Sequence, residues 1–124
     1  MRAIYLILVI FILTTGAITQ GSDSISLSDD YLDFGEVLIG DEESDYIEIT
    51  NQTSLIVEVL DVDLWGDNFD YYENCRGELR PDESCEIEII FSPSEIDSYS
   101  AELEIRTNED SYSVDIDGEG QFDD

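Results

Sequence analysis

Ala101-Glu102-Leu103-Glu104-Ile105 sets apolar side chains at every second position with a glutamate between each. A strand turns successive side chains to opposite faces, so this alternation yields one apolar and one charged face, the pattern of a half-buried strand. The same beat runs through Tyr46-Ile47-Glu48-Ile49-Thr50, Glu86-Ile87-Glu88-Ile89 and Tyr112-Ser113-Val114-Asp115-Ile116-Asp117. Ser24 to Leu27, Tyr31 to Phe34 and Leu55 to Leu64 add β-rich stretches, and the step from Val57 and Val59 to Val62 signals a bulge or a change of face. Turn-forming groups separate these runs: Gly40-Asp41-Glu42, Asn51-Gln52-Thr53, Trp65-Gly66-Asp67-Asn68, Arg80-Pro81-Asp82 and Thr107-Asn108-Glu109-Asp110. About seven short strands and no helical pattern predict an all-β sandwich, with a small barrel as the alternative.

The 124 residues hold 32 Asp and Glu against four Arg, with no Lys and no His, a formal net charge of -28. Phosphates are neutralised by Lys and Arg, so no nucleic-acid partner is expected, and an anionic membrane surface would repel the chain. Without His, and with Cys75 and Cys85 the two thiols, the chain lacks Ser-His and Cys-His nucleophile pairs and most zinc sites. No catalytic residue is expected. High charge alone favours disorder, but 42% hydrophobic and 10% aromatic residues supply a core.

Residues 1–20 read as a secretory signal peptide: Met1-Arg2, an apolar run from Ala3 to Leu13, then the small residues Thr15, Gly16 and Ala17. The run is shorter than the roughly 18 to 20 apolar residues that span a bilayer, so no permanent membrane anchor is expected after cleavage. Cleavage after Ala17 or Gly21 removes Arg2 and no acid, taking the charge to -29. In an exported chain, Cys75 and Cys85 are expected to form a disulfide.

These residues resemble the ASH (abnormal spindle and Hydin-like) domain, whose bacterial relatives are called choice-of-anchor D domains. The pattern opens with Phe34-Gly35-Glu36-Val37 and Gly40, followed by Ile47, Ile49 and Asn51. Val57, Val59 and Val62 match the next aliphatic strand, with Gly66 and Phe69 at its exit. Cys75, Leu79, Pro81, Ser84 and Cys85 match the cysteine loop of exported members. Ile87, Ile89, Phe91 and Pro93 match the strand ending in Phe-x-Pro; Tyr99, Ala101, Leu103, Ile105 and Asn108 match the next, and Gly118-Glu119-Gly120 closes the domain. One departure is Asp82, where the family commonly places Gly. The resemblance implies a non-catalytic structural or interaction module. Eukaryotic relatives are associated with cilia and centrosomes, an address that the export signal does not suit.

Glu86, Glu88, Glu102, Glu104, Asp115 and Asp117 are expected on the outer faces. There like charges repel unless salt screens them, so the acid coat reads as adaptation to high salt. Two binding readings compete with the structural one. Calcium takes several carboxylate oxygens, and Asp67 with Asp70, and Asp115 with Asp117, are the candidate ligands, although none has EF-hand spacing. Trp65, Tyr71 and Tyr72 form the one aromatic concentration, with Phe69 assigned to the core, and could receive a partner or a glycan. Asn51-Gln52-Thr53 is an N-glycosylation sequon, but Asn at this turn also has a backbone role.

The expectation is therefore an all-β, immunoglobulin-like antiparallel β-sandwich of about seven strands over residues 24–120, followed by a short acidic tail at 121–124. Phe34, Ile47, Ile49, Val57, Val59, Ile87, Ile89, Phe91, Leu103, Ile105, Val114 and Ile116 should form its core. It would be secreted, periplasmic or on the cell surface, docking a protein partner through strand edges and loops. No cofactor is expected unless the carboxylate loops hold Ca²⁺.

Overall fold

The alternating stretches pair as two stacked sheets in the computed structural model, which describes residues 24–122. The signal-peptide reading of residues 1–20 lies outside the described residues. Nine strands follow in order: β1 (Ile25–Leu27), β2 (Tyr31–Leu38), β3 (Glu43–Asn51), β4 (Val57–Trp65), β5 (Phe69–Glu73), β6 (Gly77–Leu79), β7 (Ser84–Phe91), β8 (Ser98–Thr107) and β9 (Ser111–Gln121). A four-stranded sheet runs β1-β3-β7-β5 and a five-stranded sheet runs β2-β9-β8-β4-β6. Two separate sheets make a sandwich rather than a barrel.

The sandwich differs from the expectation in detail. β5 and β6 are strands in addition to the seven stretches visible in the sequence, and Leu55 and Ile56 stand exposed in the loop before β4. One pairing is parallel: the turn at Ser28 to Asp30 carries the chain from the four-stranded sheet to the five-stranded one, where β2 runs alongside β9. The bulge in β4 is present, as a register shift between Val59 and Asp61 against β8. β9 continues through Gln121, so regular structure enters the segment read as a tail.

The core lies between the sheets. Ile47, Ile49, Ile87, Ile89 and Phe91 of one sheet face Val62, Leu103, Ile105, Val114 and Ile116 of the other, all fully buried. Phe34, expected among them, is half-buried and packs at the margin beside Phe69. Phe69 is stacked on Phe91 with ring centroids 4.7 Å apart. Cys75, just after β5, is disulfide-bonded to Cys85 in β7, and both are buried. The bridge ties the end of an edge strand to its neighbour.

Candidate functional site

Because β3, β7 and β5 turn their aliphatic residues inward, their alternate residues form a second grid on the outer face of the four-stranded sheet. Cross-strand partners share a face with Cβ atoms about 5 Å apart. Tyr46 pairs with Glu88, and Glu88 pairs with Tyr72, so one carboxylate sits in a row between two aromatic rings. The rings are 50% and 63% exposed. The neighbouring rows are Ser44, Ile90 and Asp70 on one side, and Glu48 opposite Glu86 on the other. Tyr46 Oη donates to Glu88 Oε2 at 3.4 Å. The negative charge of Glu88 raises the Tyr46 pKa, with desolvation, that hydrogen bond and Glu86 adding to the effect.

The sheet edges are guarded. β1 and β6 are three residues each, too short to offer a long ladder to another chain. β2 is interrupted by a bulge between Asp33 and Glu36, where Gly35 takes φ +68° and its N–H donates to Asp33 Oδ1. In β5 the Tyr71 N–H donates to Asp70 Oδ1 at 2.9 Å, and in β3, beyond the reach of β1, the Tyr46 N–H donates to Asp45 Oδ1 at 2.8 Å. An aspartate thus occupies the donor that an incoming strand would need. Faces, more than edges, are what the molecule leaves open.

The fold separates the aromatic residues that are contiguous in sequence. Trp65 ends β4 and projects from the outer face of the five-stranded sheet, paired with Glu102. Tyr72 projects from the opposite face of the sandwich. Tyr71 points inward, half-buried, and its hydroxyl donates to the Val62 carbonyl at 2.9 Å. Trp65 and Tyr72 therefore cannot form one platform. Tyr46 is the aromatic that joins Tyr72, and its signal in the sequence is an aromatic residue on the polar side of an alternating strand.

The carboxylates singled out for calcium are likewise divided. Asp67 stands in the loop before β5 and Asp70 faces outward from β5, whereas Asp115 and Asp117 face outward from β9 in the other sheet. Asp117 accepts hydrogen bonds from Tyr31 Oη at 3.0 Å and Ser100 Oγ at 2.8 Å. Among the described residues no three metal-ligating side chains converge into a site.

Asn51 is fully buried at the end of β3. Its amide nitrogen donates to the Leu55 and Leu79 carbonyls, both at 2.8 Å, and its oxygen accepts from the Thr53 N–H and hydroxyl. A glycan on this nitrogen would replace one of its two N–H donors and has no room beside a fully buried side chain. The Asn51 side chain therefore ties the end of β3 to the following loop and to β6.

Two of the three described arginines, Arg76 and Arg106, are held in ion pairs. Arg106 and Arg76 both pair with Asp61 at the β4 bulge, and Arg76 Nε lies 3.1 Å from Glu73 Oε2. Arg76 Nη2 donates to the Val62 carbonyl at 3.0 Å. This half-exposed network adds little stability, and its two arginines are matched by the two carboxylates Asp61 and Glu73.

A protein family described as Cep192 domain 4 matches residues 22–121. Among solved structures, the ASH/PapD-like domain 7 of human CEP192 superposes with a TM-score of 0.65 at 12% identity, covering 96% of this chain and 100% of that one. A protein of unknown function from Porphyromonas gingivalis W83 gives 0.67 at 19% identity, covering 86% and 52% of the two chains. The secreted serine protease VesC from Vibrio cholerae gives 0.62 at 15% identity, with 78% of this chain aligned to 23% of that one. This chain thus spans about a quarter of VesC and half of the Porphyromonas protein. At these identities the likeness is one of fold. No curated protein matches the sequence.

Proposed function

Since the chain belongs to the Cep192 domain 4 family and has an ASH-type immunoglobulin-like fold, we propose that it is an exported, non-catalytic protein-interaction module. Its docking surface is the outer face of the four-stranded sheet. The observation that carries this reading is the row Tyr46–Glu88–Tyr72, which holds two exposed rings on a part of the sheet paired in unbroken register while the strand edges are blunted. Tyrosine supplies large apolar area with a polar tip and few rotatable bonds, which suits it to recognition surfaces. Export is supported by the apolar run after Arg2 and by the Cys75–Cys85 disulfide, a bond of oxidising compartments. The Lys-free acid coat suits a salty exterior, where screening relieves its self-repulsion.

A photoreactive phenylalanine analogue placed at position 72, or at position 31 on the opposite face, tests the docking face in the cells that make the protein. Adducts specific to position 72 are expected. Adducts at position 31 with none at position 72 would overturn the assignment.

A further inference from the structure

We infer that the row Tyr46–Glu88–Tyr72 receives an arginine side chain from a partner protein, its guanidinium lying between the two rings on the Glu88 carboxylate. This rests on the docking role proposed above for the same face and names what docks there.

The first argument is charge. None of the four strands of the four-stranded sheet contains an arginine or a lysine. The outward carboxylates Glu48, Asp70, Glu86 and Glu88 have no cation within ion-pairing distance among the described residues, because the ion pairs gather instead at Asp61 and Glu73. A face that carries aromatic rings among unpaired carboxylates is complementary to a basic segment. The chain's own net charge of -28 makes a second copy a poor occupant.

The second argument is shape. Tyr46 and Tyr72 stand two strand spacings apart, about 9.5 Å, with Glu88 midway. A cation held within about 6 Å of both ring centroids is attracted by both π-faces. A planar guanidinium fits this slot better than an ammonium, since it stacks on rings and bonds a carboxylate with two parallel N–H groups. Glu88 is set for that contact: Oε2 already accepts from Tyr46 Oη, and the other oxygen takes no hydrogen bond among the described residues. The equivalent row on the opposite face, Tyr31, Asp115, Glu102 and Trp65, places two carboxylates between its rings and separates them by three spacings. Its rings are too far apart to hold one side chain.

The test uses the oxidised domain in 0.5 M NaCl, which suppresses long-range attraction. The probes are the capped peptide Arg-Ser-Arg-Ser-Arg-Ser, its Lys and Gln counterparts, and chitotriose as a neutral saccharide. Amide chemical shifts locate binding and titrations give Kd. The Arg peptide should shift Tyr46, Glu88 and Tyr72, the Lys peptide should bind several-fold more weakly, and the Gln peptide should not bind. Tyr72→Ala should weaken the Arg peptide about fivefold and Glu88→Gln about tenfold, while Trp65→Ala on the other face should leave it unchanged. Mapping on the unsubstituted domain does not depend on the variants folding.

Shifts spread over both faces, or equal binding of Arg and Lys peptides, would mean that net charge alone attracts them and would overturn the inference. Shifts at Tyr72 with chitotriose and none with the Arg peptide would overturn it in favour of a glycan. Adducts at position 72 in cells together with no Arg-peptide binding would leave the docking face standing and remove the arginine.

Discussion

The ring of Phe91, from the four-stranded sheet, lies directly on Gly118 of the five-stranded sheet: a Cβ at 118 would stand 2.5 Å from Phe91 Cε2. Phe34, Phe69 and Tyr99 surround the same ring, at centroid distances of 5.8, 4.7 and 5.4 Å. The glycine is thus the socket through which the two sheets close. Gly118→Ala should destabilise the domain by about 1 to 3 kcal/mol through overpacking. Adding Phe91→Leu to it should cost less than the sum of the two single changes, because the smaller side chain vacates the socket. Chemical denaturation of the four variants reads this directly; strictly additive losses would refute it.

Removing the Cys75–Cys85 bond frees an eleven-residue stretch, counting both cysteines, in the unfolded chain. The expected loss is about 2 to 3 kcal/mol, or roughly 10 °C in melting temperature. Calorimetry of the oxidised domain and of the Cys75→Ser/Cys85→Ser variant measures it.

Asn51→Ala should cost about 2 to 3 kcal/mol, since it strands the buried Leu79 carbonyl and removes the bonds that hold the turn at Thr53 and Leu55. Mass spectrometry of the protein from its own cells should find Asn51 unmodified. A glycan on Asn51 of the folded protein would contradict the buried geometry.

Tyr46 should ionise later than an unhindered tyrosine, whose pKa is about 10. The raised folded pKa means that the folded state holds the phenolic proton more tightly than the unfolded one. Its contribution to stability is therefore complete below the unfolded pKa and is lost as pH rises through the folded value. Glu88→Gln removes the charge responsible and should lower the Tyr46 midpoint, as read by NMR during alkaline titration. An unchanged midpoint would show that Glu88 does not set it.

Salt should stabilise the domain. Glu102 faces Asp115, Glu48 faces Glu86 and Asp33 faces Asp117 across adjacent strands, and each like-charged pair opposes folding. The Debye length falls from about 10 Å at 0.1 M to about 3 Å at 1 M, so the melting temperature should be higher in 2 M than in 0.1 M NaCl. Equal midpoints would remove the high-salt reading of the acid coat. Millimolar CaCl₂ at matched ionic strength separates screening from specific binding, which would appear as an additional rise.

The strands most legible in the sequence are those with one wet face. Ile47 and Ile49, Ile87 and Ile89, and Leu103 and Ile105 alternate with acids because the sheet is covered on one side only, and each pair is buried as its period implies. β5 is obscured because Tyr71 and Tyr72 are both aromatic, so inward and outward positions look alike. β6 is three residues long, with Leu79 its buried anchor against Val57. The parallel pairing of β2 with β9 joins opposite ends of the chain, and no local pattern encodes it. The same limit applies to the candidate site. Tyr72 is visible as an aromatic residue, but its neighbours Glu88 and Tyr46 become neighbours through the register of three strands. Trp65 is close to Tyr72 in sequence and is carried to the other side by the change of sheet between β4 and β5.

The aspartate that folds back onto the next residue's N–H in β3 and β5 bears on crowding in brine. Charge repulsion keeps acidic molecules apart in dilute buffer, but concentrated salt silences it at any distance beyond contact. A hydrogen bond between neighbouring residues is far less affected by bulk ions. Asp45 and Asp70 therefore act as local locks against pairing of one copy's strand edge with another's, and they keep working where electrostatic repulsion has stopped. Joining of copies edge to edge along β3 and β5 is thus opposed in concentrated salt as in dilute buffer.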